Sequence, residues 1–188
     1  MKNVTINGPK LNEVDDAYSI IHHLSALTHG HHRSMLACGL YISIASELLK
    51  EADLSRVVQE GLQKAVRYYK TQPAFQAELE HFKRLESHSF AATPEERIKS
   101  SGYVIHTLEA AIWCMLNSES YQGCVLKAVN LGEDTDTVAT VAGGLAGLFY
   151  GYESIPQEWL AVIARRDFIE SLCRRLLISL HRADMERL

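Results

Sequence analysis

The residues best suited to chemistry lie in one short segment, Gly132-Glu133-Asp134-Thr135-Asp136-Thr137. Two carboxylates and a hydroxyl fall within four residues there, at Asp134, Asp136 and Thr137. One Asp or Thr at the start of a helix is usually an N-cap, because its oxygen accepts a backbone N–H. Three such residues exceed what capping requires. Carboxylate and hydroxyl oxygens suit Mg2+, which completes its shell with water and substrate oxygens, so the segment predicts a metal site.

The segment that follows, Val138 to Gly147, predicts a helix rich in Gly and Ala that would hold this site. Gly143, Gly144 and Gly147 lie inside that helix, where each costs about 1 kcal/mol relative to Ala. A close approach of backbone to backbone would offset that cost. We therefore expect this helix to be central in a bundle and to hold its ligands rigidly.

Histidines form a second group of residues with chemical potential. His29, His31 and His32 could ligate zinc, but their spacing lacks the one-turn separation of helical histidine ligands. The pattern favours an exposed loop in which one histidine faces a substrate. The adjacent residues His22 and His23 point in different directions on a helix, which favours a surface position for both.

The elements that position these residues are helices. Apolar residues recur at steps of three and four along most of the chain, and no segment of useful length alternates like a half-buried strand. The sequence predicts an all-α bundle in a single domain, residues 1–188. The helices expected are Asn12–Ala26, Arg33–Lys50, Leu54–Tyr69, Ala74–Leu85, Pro94–Lys99, Tyr103–Leu116, Ser120–Val129, Thr137–Tyr150, Pro156–Ala164 and Asp167–His181.

Composition restricts the classes of function. The chain has 188 residues, of which 47% are hydrophobic, and its formal net charge is -4, so a nucleic-acid partner is disfavoured. No signal peptide and no apolar run of membrane-spanning length is present, so we expect neither secretion nor a membrane partner. The widely spaced cysteines Cys38, Cys114 and Cys124 lie among apolar residues and predict buried free thiols in a reducing cytoplasm. The fourth cysteine is Cys173.

Several segments resemble the ADP-ribosylglycohydrolases, the family that includes dinitrogenase reductase-activating glycohydrolase. Gly132 to Thr137 with the helix after it resembles the C-terminal metal motif of that family. Ser25-Ala26-Leu27-Thr28-His29 is similar to its Ser-x-x-Thr-His segment, and Ser101 to Trp113 is similar to the stretch that precedes its last metal ligands. The likeness runs in consistent order from about Tyr18 to Trp159.

The resemblance implies an all-α fold and hydrolysis of the glycosidic bond between ADP-ribose and a protein side chain or small acceptor, at a site with two Mg2+ ions. Asp134, Asp136 and Thr137 would then be metal ligands. His29 would lie near the phosphates or ribose of ADP-ribose, and Gly102 and Tyr103 would line the substrate cleft. The resemblance assigns no catalytic residue. The implied partner is ADP-ribose or an ADP-ribosylated protein.

The sequence departs from the family in its N-terminal part. The Thr-Asp-Asp-Thr motif that supplies the other metal ligands in the family does not occur in this sequence, so the chain resembles a family member truncated at its N-terminus. Asp15-Asp16 is the only Asp-Asp pair, but acidic residues are favoured in the first turn of a helix, and no threonine flanks this pair.

Three interpretations follow from that departure. The chain is a Mg2+-dependent hydrolase, or a hydrolase made inactive by the missing ligands. Alternatively, it is a non-catalytic module that binds ADP-ribose or a cation, or that assembles as a homodimer or with a separate N-terminal chain. In the third interpretation the gene model is incomplete.

Overall fold

The computed structural model describes residues 13–50 and 53–185, with side chains described for 17–50 and 53–180. Contacts divide the chain into two compact units, one formed by Tyr18–Ile155 and the other by Met1–Ala17 together with Pro156–Leu188. The units are treated separately below. The prediction of a single domain stays a prediction.

The described residues form helices, 3-10 turns and loops without a strand, which confirms the all-α prediction. The 3-10 segments are Pro73–Phe75, Glu80–Glu86, Glu95–Arg97 and Tyr152–Ser154. The α-helices are α1 (Glu13–Ala26), α2 (His32–Leu48), α3 (Leu54–Lys70), α4 (Gln76–Leu79), α5 (Val104–Leu116), α6 (Tyr121–Asn130), α7 (Thr135–Tyr150), α8 (Gln157–Ala161) and α9 (Arg166–Met185).

The core of the larger unit lies where α2 packs on α3 and where α5, α6 and α7 pack together. α5 is buried along most of its length, since ten of its residues from Ile105 to Met115 are buried. A helix that is apolar all round belongs inside a protein. α3 is amphipathic instead and buries only one face, which includes Val57, Leu62 and Tyr69.

Two helices approach each other closely at a glycine that the sequence did not single out. A Cβ added to Gly61 of α3 would lie 2.6 Å from Ile44 Cα in α2. In α7, by contrast, a Cβ on Gly144 would fall on the hydroxyl of Tyr41, a side chain of α2. The expectation of backbone-to-backbone packing at the α7 glycines was therefore wrong, because an aromatic side chain fills that space.

Two predicted helices take another form. The expected Ala74–Leu85 helix contains only the four-residue α4 between 3-10 segments, and the expected Pro94–Lys99 helix is the three-residue turn Glu95–Arg97. Pro94 lies before that turn and its position has no side-chain cap. A single turn without a cap or an apolar periodicity to extend it does not continue into an α-helix.

The smaller unit contains α8 and α9 among its described residues. α9 has apolar side chains exposed along one broad face, including Phe168, Ile169, Leu172 and Leu176. Every helix within the described ranges is too short or too polar to cross a lipid bilayer.

Candidate functional site

The acidic segment is held by the loop that precedes α5. The backbone N–H of Asp134 donates to Ser100 O at 3.1 Å, and Ser100 Oγ donates to Gly132 O at 3.1 Å. Ser100 is buried, so these bonds form in a shielded environment. The turn between them needs positive φ at Gly132 (83°) and Glu133 (53°). The acidic segment and the loop before α5, in which the family resemblance places substrate-binding residues, are therefore bound to each other.

Gly102 allows the loop before α5 and the start of α7 to lie close together, and we call this contact the junction. A Cβ added there would fall on Asp134 Oδ2, and it would lie 3.4 Å from Asp134 Cγ. The absence of a side chain at Gly102 thus allows the Asp134 carboxylate to lie against the backbone of the 101–103 segment. The structure brings together one residue predicted to bind substrate and one predicted to bind metal.

The Asp134 side chain is not used for capping. Asp134 is the N-cap residue of α7, yet its side chain accepts no capping bond. Its Oδ1 accepts instead from Thr137 Oγ1 at 2.8 Å. A hydrogen bond with Asp134, and then backbone N–H groups, hold the pKa of the Asp136 carboxyl below its usual range.

These three side chains fit part of a Mg2+ shell. Asp136 and Thr137 are exposed and Asp134 is half-buried, so water and substrate oxygens can reach all three. Within the described ranges, however, no three His, Cys, Asp or Glu side chains are grouped closely enough to hold a metal ion. The segment supplies two carboxylates and one hydroxyl, and a full shell needs further oxygens.

A cavity of about 720 Å3 opens beside this junction in the larger unit. It brings together His29, Gly102, Tyr103 and Thr137, four of the six predicted site residues. Asp134 and Asp136 do not line it. One wall carries polar groups, and another is apolar, formed by α2, α5 and α7 through Ala37, Cys38, Tyr41, Ile42, Val104, Leu108 and Val141.

The histidines lie at the polar end of the cavity. His29 is exposed and its Nδ1 lies 3.0 Å from Thr28 Oγ1. His31 caps α2, because its Nδ1 accepts from the backbone N–H of Arg33 at 3.1 Å. His31 thus serves as a helix cap, and within the described ranges no histidine belongs to a group of three potential metal ligands, so the structure offers no support for the zinc alternative.

One expectation about histidines was wrong. His22 is half-buried, and its Nε2 lies 2.9 Å from the hydroxyl of Tyr69. Its ring stacks on Phe75 with centroids 4.7 Å apart. Burial lowers the pKa of His22, so the neutral ring is favoured there. His23 is exposed, as predicted.

Sequence reasoning missed Arg33, which also lines the cavity. Its Nε donates to Glu78 Oε2 at 2.6 Å, and its Nη1 donates to the hydroxyl of Tyr103 at 2.6 Å. Glu78 raises the pKa of the Arg33 guanidinium by hydrogen bonding to it. No spacing pattern joins residues 33, 78 and 103, so only the fold could show this contact.

Comparisons with known proteins show the family of the chain. The family model described as ADP-ribosylglycohydrolase matches residues 6–185, nearly the whole chain. The chain belongs to the ADP-ribosylglycohydrolase family. The expectation drawn from the motifs is thereby confirmed at the level of the family.

Two relatives and one solved structure extend that finding. An ADP-ribosylarginine hydrolase Tri1 from Pseudomonas putida (strain GB-1) is 33% identical over 152 residues, covering 81% of this chain and 38% of the relative. A protein of the same name from Serratia proteamaculans (strain 568) is 44% identical over 81 residues, covering 43% of this chain and 22% of the relative. A structure titled "ADP-ribosylglycohydrolase-related protein complex" matches with a TM-score of 0.68 and 28% identity, over 94% of this chain and 54% of that one.

The chain spans only part of the length of these relatives. The aligned part of this family member corresponds to 38% of the Pseudomonas protein and to about half of the matched structure. The activity of those longer proteins is therefore a proposal for this chain.

Proposed function

We propose that this chain acts as an ADP-ribosyl hydrolase, which cleaves the glycosidic bond between ADP-ribose and an acceptor. The observation that carries the proposal is the contact between Gly102 and Asp134, which sets a cluster of oxygen donors beside a cavity lined by His29 and Tyr103. Two relatives are ADP-ribosylarginine hydrolases, which supports an arginine side chain as the first acceptor to test.

Asp134, Asp136 and Thr137 would hold Mg2+ in this proposal, with water and substrate oxygens filling the other positions. When bound, the ion supplies Lewis acidity for ribose oxygens and neutralises nearby negative charge. The metal and its identity are part of the proposal. Their support is the set of hard oxygen donors, which lie close together: Thr137 Oγ1 is 2.8 Å from Asp134 Oδ1, and the Asp134 side chain makes no capping bond.

The chain's own residues bind and orient the substrate. Tyr103 presents a hydroxyl and His29 presents a ring nitrogen at the polar end of the cavity. Gly102 has no side chain, which allows the Asp134 carboxylate to lie against its backbone at the edge of the cavity. Positioning of this kind can contribute much of the rate enhancement in a hydrolase.

The test uses the purified chain with Mg2+ and an ADP-ribosylated arginine peptide, and release of ADP-ribose is measured. Asp134→Asn and Asp136→Asn should abolish Mg2+-dependent release. Glu133→Gln is the matched control, because Glu133 is an exposed acid in the same turn. Calorimetric titration with Mg2+ gives a second readout that does not depend on activity. Release of ADP-ribose that is the same in both Asp variants as in the wild type would contradict the metal assignment.

A second candidate function is a non-catalytic module for binding ADP-ribose or a cation, or for assembly. Its support is the small number of carboxylates at the metal site and the exposed apolar side chains on α1. Ile20 and Leu24 of α1, and Leu27 directly after its end, are each more than half exposed. Such a surface favours a homodimer or a pairing with a separate N-terminal chain. A cytoplasmic location belongs to both candidates as an inference.

Sedimentation and titration separate the two candidates. A module should bind ADP-ribose without releasing it from a peptide, and it should associate with itself or with another chain. Release of ADP-ribose by a monomer would favour the hydrolase. A monomer that neither binds nor cleaves would contradict both.

A further inference from the structure

Arg33 lies in the first turn of α2 and joins three segments that are far apart in the sequence. Besides its bonds to Glu78 and Tyr103, its Nη2 lies 2.6 Å from His81 Nε2. Each of the three guanidinium nitrogens thus contacts a different side chain. Only a planar group with donors on several edges can do this, and a lysine ammonium cannot reproduce the geometry.

The Arg33 contacts are partly shielded from water. The side chain of Arg33 is 24% exposed and that of Glu78 is 17% exposed. Glu78 belongs to the short helix α4, and His81 follows in the 3-10 segment after it. The 76–86 region therefore holds the Arg33 guanidinium through two side chains, Glu78 and His81.

Tyr103 is held from a second direction by its ring. The ring packs edge-to-face on His106, with centroids 5.1 Å apart and an interplanar angle of 82°. His106 Nδ1 in turn lies 2.7 Å from Ser101 Oγ. Tyr103 is 41% exposed, yet its hydroxyl and its ring both have partners. A tyrosine with that exposure would otherwise be free to change rotamer.

The direction of the bond between Arg33 and Tyr103 has a chemical consequence. A guanidinium has donors and no acceptor, so the tyrosine oxygen accepts in this bond. The O–H proton of Tyr103 is then left for another acceptor. A hydrogen bond accepted from a cation also polarises that O–H group, which makes it a better donor.

We propose that Arg33 is a positioning residue that fixes Tyr103 at the cavity wall, so that the Tyr103 hydroxyl donates to a phosphate-type oxyanion of the ligand. The identity of the oxyanion, a phosphate of ADP-ribose, rests on the proposed function. The positioning of Tyr103 by Arg33 rests on geometry alone. Both residues line the same cavity, together with His29 and His31, so its polar end is rich in groups that can donate to an anion.

The first test concerns the ligand-free protein. The chain is labelled with 3-fluorotyrosine, and the signal of residue 103 is assigned by its loss in Tyr103→Phe. We expect one narrow 19F resonance in the wild type and a shifted or broadened one in Arg33→Lys and Arg33→Met. Arg56→Met is the matched control, because Arg56 also lies in the first turn of a helix and is exposed. An unchanged resonance in Arg33→Met would overturn the positioning role.

The second test adds inorganic diphosphate and then ADP-ribose, with adenosine as the ligand without phosphate. Arg33→Lys and Tyr103→Phe should each weaken diphosphate and ADP-ribose binding by about 10- to 100-fold, the range for a hydrogen bond to a charged group. The double variant should bind these ligands little more weakly than either single variant, since both substitutions disrupt the same hydrogen bond between Arg33 and Tyr103. Adenosine binding should not change.

The outcomes separate this proposal from the hydrolase proposal. Diphosphate binding that depends on Arg33 without any peptide cleavage supports the positioning role and contradicts only the hydrolase. Cleavage that is unaffected by Arg33→Lys, with diphosphate leaving the Tyr103 resonance unmoved, overturns the oxyanion role and leaves the hydrolase standing.

Discussion

Gly102 and Asp134 lie so close together that Gly102 has no room for a side chain, because a Cβ there would fall on the Asp134 carboxylate. This contact joins the loop before α5 to the start of α7. It also joins the residues expected to bind substrate to those expected to bind metal. Several expected outcomes depend on it and on other contacts of the larger unit.

Gly102→Ala should weaken Mg2+ and ADP-ribose binding together, because the new methyl group displaces Asp134 from its position. We expect at least a tenfold loss of Mg2+ affinity, comparable to the loss of a residue that orients metal ligands. Gly147→Ala is the control. Its Cβ would meet only Tyr121 Cε2 at 3.8 Å, an ordinary contact, and the helix should gain about 1 kcal/mol. Calorimetric titration of both variants checks this, and equal Mg2+ affinity in both would contradict it.

Gly61→Ala should destabilise the fold although alanine is the better helix former. Its Cβ would lie 2.6 Å from Ile44 Cα, so α2 and α3 must move apart. We expect a loss of about 1–3 kcal/mol in the free energy of unfolding, as for other overpacked cores. Urea denaturation measures it. Gln63→Ala, at an exposed position on the same helix, should change stability by less than about 0.5 kcal/mol.

The four cysteines should differ in reactivity. Burial raises the pKa of Cys114 to about 12 and that of Cys124 to about 11, whereas Cys173 is exposed. At pH 8 only about one in a thousand Cys124 thiols is then ionised, and the thiolate is the reactive form. Mass spectrometry after brief alkylation of the native protein should find Cys173 modified while Cys114 and Cys124 are not. Rapid labelling of either buried thiol would show that this part of the core opens readily.

Glu109 should make stability depend on pH. It is buried, and desolvation raises its pKa above the usual 4.5, although Arg84 Nη1 lies 2.7 Å from its carboxylate and opposes the shift. His106 and Lys99 also lower that pKa, by smaller amounts. Between the unfolded and folded pKa values the folded state holds more protons, so stability falls as pH rises through that window.

Glu109→Gln isolates this effect, because an amide does not titrate. The stability of the wild type relative to the variant should decrease from pH 4 to pH 7, as measured by urea unfolding at both values. A relative stability that increases over this range would mean that the ion pair with Arg84 outweighs burial.

Much of the fold was accessible from the sequence because it depends on local periodicity. α2, α3, α5 and α6 begin and end within two residues of their predicted bounds, since apolar spacing and capping residues act within a few turns. The segments 74–85 and 94–99 could not be predicted in the same way. Short turns of this kind depend on packing against neighbours rather than on their own propensity.

The candidate site likewise has features that depend on local sequence and features that depend on long-range packing. The sequence alone determined which side chains could serve, because the types and spacing of Asp134, Asp136 and Thr137 suit a hard cation whatever surrounds them. It also determined the family. Only the tertiary structure decided that Gly102 lies against Asp134 and that Arg33 holds Tyr103. The physical reason is that these contacts join residues 32 and 70 positions apart, and no local pattern records which distant segments the packing of helices will bring together.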